Sequence, residues 1–478
     1  MLKLFSGFRT SFSQGIAAAL LALCPLLPGI TQGSPTEDQT APVRKSDNDK
    51  ITAKAILFIE NLNQGKLDQL QSDFDPTMKA MLPATIIDRL WKTWQTQFGK
   101  FEQQLAPEKK TPTNTIDEVI IPCKFANSTQ SLDFAFDKEG RISGLHLRPT
   151  EAAMAAAIPI PSYVNKSSFS DEDFTVGAGQ WALPGTLSVP LQNGRMPAVV
   201  LVHGSGPQDR DETVCGIKAF RDIAWGLASR GIVVLRYEKR TKAHALQMPK
   251  EISTLTVKEE TIDDALQAVQ DLKQNKHVDP ARIYILGHSL GGTVMPRIAP
   301  RAKDCAGFII MAGATRPLED LILEQYEYIM SLKPQPLSDE DKKTLAQIKG
   351  YVDIVKSPSL KAGATDSGLP PSWPATYWLD LRGYKPAEAA KDIDKPLLIM
   401  QGEKDYQVTS ADLKNWQDNL GTRKNVTFKI YPKLGHMFTT SAGKPGPTDY
   451  EEPQNVDQAV VEDLSTWINS QNSGKPGQ

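Results

Sequence analysis

Apolar positions along this chain change their period twice. Between residues 51 and 105 they recur at helical spacing: Ala55, Ile56, Ile59 and Leu62, then Leu67 and Leu70, then Met78, Met81 and Leu82. Ile86, Leu90, Trp94 and Phe98 repeat every four residues and predict a further amphipathic helix. From Thr115 the period shortens. Residues 118–121 (EVII), 131–136 (SLDFAF) and 142–147 (ISGLHL) read as short strands, with Lys138-Glu139-Gly140 as a turn between two of them. Helices followed by a small meander predict an α+β module over residues 51–148. Residues 149–170 are rich in Ala, Pro and Ser without periodicity and read as a linker.

Beyond the linker, continuous apolar runs alternate with amphipathic helices. Strands are expected at 197–203 (PAVVLVH), 232–237, 282–286, 307–311, 396–400 and 426–431. Helices are expected at 218–230, ended by Gly231, at 257–276 and at 456–468. Such alternation predicts an α/β fold over residues 171–471, a mostly parallel sheet with helices on both faces. The strands at 307–311 and 396–400 are separated by an insertion, about 315–392. Residues 318–332 and 339–355 look helical there, and Trp373, Tyr377 and Trp378 follow. An insertion at this place is expected to roof a site and shape its pocket, although lid packing is the first reading of any one aromatic.

The first 33 residues carry another signal. Lys3 and Arg9 precede the apolar run 15–27, which is short and contains Pro25, and Thr31-Gln32-Gly33 follows. This pattern predicts a cleavable signal peptide over 1–33 and a periplasmic or secreted protein; an uncleaved anchor is the alternative. Residues 34–50, polar with Pro and Asp, are expected to be disordered. Cleavage would take the formal charge from −2 to −4, which suggests neither a nucleic-acid partner nor stable membrane insertion. It would also leave Cys123, Cys215 and Cys305, an odd number without metal-ligand spacing; Cys123 and Cys305 read as buried apolar residues. No metal and no cofactor is expected.

Gly287-His288-Ser289-Leu290-Gly291 lies where a strand passes into a helix. That context makes Ser289 a candidate nucleophile on a sharp turn, with a helix N-terminus behind it to favour developing negative charge. A plain glycine-rich turn is the alternative. A serine nucleophile needs a base, and His436, in the loop after the strand 426–431, would open on the same edge of the sheet. Asp405, just after the strand 396–400, is the expected acid behind it, with Glu403 as runner-up. The backbone N–H groups of Leu290 and Ser205, the latter in His203-Gly204-Ser205-Gly206, are the expected oxyanion donors. The charges of the following run 207–212 (PQDRDE) read as an internal salt-bridge scaffold.

These segments carry a resemblance. HGSGPQDRDE (203–212), LRYEKR (235–240), GHSLGG (287–292), QGEKD (401–405) and LGH (434–436) make residues 171–470 similar to the α/β-hydrolase family, in its bacterial esterase, dienelactone-hydrolase-like or serine-aminopeptidase-like branch. The resemblance implies cleavage of carboxylic esters through an acyl-serine intermediate, with Ser289, Asp405 and His436 in the order that family uses. Tyr237-Glu238-Lys239-Arg240 departs from a glycine-bearing turn found in many relatives, so the pocket wall beside it is expected to differ. Residues 51–148 resemble, in element order, a nuclear-transport-factor-like cone domain, either a ligand or dimer surface or a passive spacer. The expected partner is a small acyl ester, and a homodimer is allowed. A peptidase or acyltransferase with the same triad, or a binding protein on a hydrolase scaffold, are the competing functions.

Overall fold

A computed structural model describes residues 45–109, 117–149, 158–245, 248, 252–363, 368–370, 374–450 and 452–471. The predicted signal peptide lies outside them. The chain separates into two bodies between Ala157 and Ile158.

Among the described residues the first body holds helices α1 (Lys45–Asn63), α2 (Pro76–Met81) and α3 (Ala84–Phe98). Strands β1 (Phe101–Gln104), β2 (Glu108–Lys109), β3 (Asp117–Phe125), β4 (Thr129–Phe136) and β5 (Ile142–Pro149) form an antiparallel sheet of order β1-β3-β4-β5, with β2 also on β3. Phe58 of α1 meets Phe134 edge-on and stacks near Phe74, and Trp91 packs on Phe101 and Phe125. Two expectations are corrected here. Helix α1 already begins at Lys45, within the stretch expected to be disordered, because a polar first turn extends a helix that the buried face from Ile51 to Leu62 nucleates. The core-facing stripe of α3 is Ile87, Trp91, Trp94 and Phe98 rather than the four-spaced set beginning at Ile86: a period of 3.6 alternates steps of four and three.

The second body opens with residues expected to be a linker. Ile158 is buried, the Arg221 guanidinium donates to the Pro159 carbonyl at 2.9 Å, and the Tyr163 hydroxyl donates to the Val456 carbonyl at 2.8 Å. Residues 158–170 are therefore seated on the second body, held by polar groups that no hydrophobic period reveals. Strands β6 (Phe169–Val176) and β7 (Leu183–Pro190) form an antiparallel pair; β6 was not legible as a strand because most of its side chains are polar and only its two end residues are buried. Then come β8 (Met196–Val202), a short ribbon of β9 (Thr213–Val214) and β10 (Ile217–Lys218), α4 (Ala219–Ala228), β11 (Val233–Tyr237), α5 (Asp263–Lys273) and β12 (Val278–His288). Helix α6 (Leu290–Thr293) leads to β13 (Gly307–Met311). The insertion holds α7 (Leu318–Leu332), α8 (Asp339–Lys356) and α9 (Ala375–Leu381). The chain finishes with β14 (Leu397–Gly402), α10 (Ser410–Leu420), β15 (Val426–Tyr431) and α11 (Gln458–Ser470).

The eight-stranded sheet runs β15-β14-β13-β12-β8-β11-β7-β6. Every pairing from β15 to β11 is parallel, and the last two are antiparallel. Both faces of β8, of β13 and of residues 283–286 of β12 are buried, which is why these stretches read as unbroken apolar runs. The insertion has a small core of its own, with Ile322, Tyr326, Met330, Val352 and Trp378. Trp373 lies outside the described residues.

Candidate active site

Loops leaving the carboxyl ends of β8, β12, β13, β14 and β15 surround one cavity of ≈ 70 Å³. In a sheet of this kind that edge is where the loops of adjacent parallel strands converge. Gly204, Ser205, Ser289, Leu290 and His436 all line it.

Ser289 makes the turn between β12 and α6 by itself, at φ 51° and ψ −115°. Such a conformation costs a non-glycine residue about 1–3 kcal/mol. Its N–H is held by the Met311 carbonyl at 2.9 Å. The flanking glycines are steric requirements of the crossing. A Cβ on Gly287 would come within 2.3 Å of the Gly291 carbonyl oxygen, and one on Gly291 within 2.3 Å of that of Val202.

Asp405 is buried in the loop after β14. Its Oδ1 accepts the N–H groups of Gln407 (2.8 Å) and Val408 (2.9 Å), and its Oδ2 accepts from Gln401 Nε2 at 3.1 Å. The same Oδ2 stands 2.7 Å from His436 Nδ1. A carboxylate facing Nδ1 places the imidazole proton there and leaves Nε2 as an acceptor. The structure thus brings Asp405 against His436 and sets His436 on the same cavity as Ser289, whereas Glu403 points into solvent. Of the other histidines, His203 bonds the Asp209 carbonyl and His244 the Ala182 carbonyl. Burial lowers the His203 pKa to about 4, so this ring is neutral.

Sequence reasoning passed over His288 and read Glu212 only as one charge of an internal scaffold; both hold the site. His288 is enclosed between two loops: its Nε2 is 2.9 Å from the His436 carbonyl oxygen and its Nδ1 is 2.9 Å from Glu212 Oε2. Burial opposes charge on both side chains, yet their mutual attraction outweighs it, holding Glu212 below and His288 above its ordinary pKa. Glu212 Oε1 also accepts the Gly204 N–H at 2.6 Å. That amide is therefore engaged, and the next one, of Ser205, is the candidate donor toward Ser289. The remaining charges of the 207–212 run bond within the body, Arg210 to Glu238 at 2.8 Å and Asp211 to Lys218 at 3.0 Å and to Arg236. The signal available for Glu212 was its place in an acidic run beside the glycine loop; for His288 there was none beyond adjacency to the serine.

The cavity has polar and apolar walls. Helix α7 contributes Leu318, Leu321 and Ile322, and Val214, Val408 and Met437 face them. Arg316 also lines it, but its guanidinium is bound to Asp412 at 2.8 Å and to Glu324. Tyr377 and Trp378 do not line it. The Tyr377 hydroxyl donates to Glu260 at 2.8 Å, and Trp378 is packed inside the insertion. Cys123 and Cys305 are buried, and burial pushes each thiol up to about 12. Among the described residues no group of three or more His, Cys, Asp or Glu is placed to hold a metal ion, and no helix is long and apolar enough to cross a membrane.

A parallel sheet of this order, with a serine on a strained elbow after its central strand, defines an α/β-hydrolase. The family model described as "Alpha/beta hydrolase family" matches residues 199–445, and the chain belongs to that family. A second model, "Protein of unknown function (DUF3887)", matches residues 55–145. The chain is 34% identical over 415 residues to "Esterase EstD" of Thermotoga maritima, covering 87% of this chain and 94% of that protein. Among solved structures it is similar to Est1E from Butyrivibrio proteoclasticus, at 16% identity and TM-score 0.41, over 63% of this chain and 98% of that one. It is also similar to the Pyrococcus horikoshii acylaminoacyl peptidase, at 15% identity and TM-score 0.43, over 78% and 52%.

Proposed function

We propose that this protein is a carboxylesterase that works through an acyl-serine intermediate, with Ser289 as nucleophile, His436 as base and Asp405 as the acid behind it. The observation that carries this reading is the 2.7 Å contact between Asp405 and His436 at the rim of the cavity that Ser289 enters. The likeness to a named esterase over most of both chains supports the ester as substrate.

In this mechanism Ser289 Oγ bonds to the ester carbonyl carbon as its proton passes to His436 Nε2. The carbonyl π electrons move onto oxygen, where the N–H groups of Ser205 and Leu290 receive the charge. Collapse restores the carbonyl and breaks the bond to the alcohol, which leaves with the proton from His436. Water then repeats the sequence on the acyl-serine, releasing the carboxylic acid and returning a proton to Ser289. The apolar wall from α7 would hold the acyl group.

A fluorophosphonate probe should label the wild type and not Ser289→Ala. Equal labelling would remove Ser289 from this role. A panel of chromogenic esters and aminoacyl amides then tests the substrate: turnover of amides alone would replace the esterase by a peptidase on the same triad.

A further inference from the structure

Lys239 is a buried ammonium group that the mechanism above does not use. We infer that Lys239 is a positioning residue for ester cleavage: its ammonium holds the Gly204–Ser205 peptide so that the Ser205 N–H faces the reacting carbonyl oxygen. The inference rests on the reading of Ser289 as nucleophile and Ser205 as donor.

Lys239 Nζ donates to the Gly204 carbonyl oxygen at 2.7 Å. That oxygen and the Ser205 N–H belong to one peptide unit, and in a trans peptide they point in opposite directions. Gly204 and Ser205 line the cavity, whereas Lys239 lies beneath the loop at 2% exposure. With the carbonyl drawn down to the ammonium, the N–H is turned up toward the cavity. Were the peptide to flip, the hole would present a carbonyl dipole to a developing negative charge. The same residue pins the loop again, since its own N–H donates to the Gln208 carbonyl at 3.1 Å, and Gln208 Nε2 donates to the Ser205 carbonyl at 3.0 Å. A charge-assisted bond to the carbonyl also polarises the peptide and strengthens its N–H as a donor.

A buried ammonium needs a counter-charge. Glu260 Oε1 stands 3.0 Å from Nζ, and Glu260 Oε2 accepts the hydroxyl of Tyr377, which belongs to α9 of the insertion. The seating of the insertion is thereby joined to the orientation of one oxyanion donor through three side chains. This gives the Tyr-Glu-Lys-Arg turn after β11 a function other than shaping the pocket wall.

The test compares the full-length wild type with Lys239→Met, Tyr377→Phe and Ser289→Ala, on p-nitrophenyl acetate and on a trifluoromethyl ketone that adds to the serine as an oxyanion. Lys239→Met should lower kcat about 10²-fold, the effect of weakening one oxyanion donor, with KM nearly unchanged. Inhibition by the ketone should weaken by the same factor. Tyr377→Phe leaves the Lys239–Glu260 pair in place and should give a smaller loss, roughly 3–10-fold, in both quantities; it carries the test should Lys239→Met fail to fold. Folded variants that keep kcat and ketone affinity, or that raise KM alone, would overturn the inference. If Ser289→Ala kept its turnover, the underlying reading would fall with it; if Ser289→Ala were inactive while Lys239→Met and Tyr377→Phe matched the wild type, only the role of Lys239 would fall.

Discussion

The imidazole of His288 reaches the backbone of His436, 148 residues further along the chain, with Nε2 2.9 Å from its carbonyl oxygen. The neighbour of the proposed nucleophile thus anchors the loop that carries the proposed base. Glu212, which bonds the glycine loop, faces the other nitrogen of the same ring. Two loops, from β8 and β15, meet on one buried side chain at the end of β12.

Removing that side chain should cost stability. His288→Leu is expected to lower the unfolding free energy by about 3–5 kcal/mol, because it leaves the Glu212 carboxylate buried without its cation. Adding Glu212→Gln, which keeps an acceptor for the Gly204 N–H, should recover at least about 1 kcal/mol of that loss. Urea denaturation of the four proteins checks this, and strictly additive losses would mean that the two residues do not interact.

The pair also sets a pH window. The depressed Glu212 pKa contributes stability that is complete above the ordinary carboxylate value and is lost as pH falls through its folded value. The raised His288 pKa contributes stability that is complete below the ordinary imidazole value and is lost as pH rises through its folded value. The difference in stability between wild type and a Glu212→Gln, His288→Asn double variant should therefore be greatest between about pH 4.3 and 6.5. A difference that is flat from pH 4 to pH 9 would refute the assignment.

Asp405→Asn should spare the fold and damage turnover. An amide can still accept the N–H groups of Gln407 and Val408, but it no longer stabilises an imidazolium or holds the proton on His436 Nδ1. A loss of about 10⁴ in kcat on p-nitrophenyl acetate is expected, with far-ultraviolet circular dichroism unchanged. Retention of more than a tenth of the activity would contradict the proposed base.

Two glycines should behave oppositely. Gly287→Ala forces a Cβ to 2.3 Å from the Gly291 carbonyl, so the elbow must open; a loss above about 3 kcal/mol is expected. Gly350, exposed on α8, has nothing within 4 Å of the corresponding position. Gly350→Ala should raise stability by about 0.5–1 kcal/mol. Thermal melts of both variants decide the matter.

Periodicity along the chain was enough to announce an α/β body behind an α+β module. The place of Ser289 between strand and helix was equally local, as was the order of Ser289, Asp405 and His436 after β12, β14 and β15. These features depend on neighbours in sequence, through side-chain period and turn sterics. The tertiary structure alone decided that His288 and Glu212 tie the loops after β8 and β15 to the end of β12 and that Lys239 lies under the Gly204–Ser205 peptide. It also decided that residues 158–170 belong to the hydrolase body and which face of α3 is buried. Each of these depends on which polar or apolar group arrives from a distant segment, and a buried polar side chain is stable only where such a partner meets it.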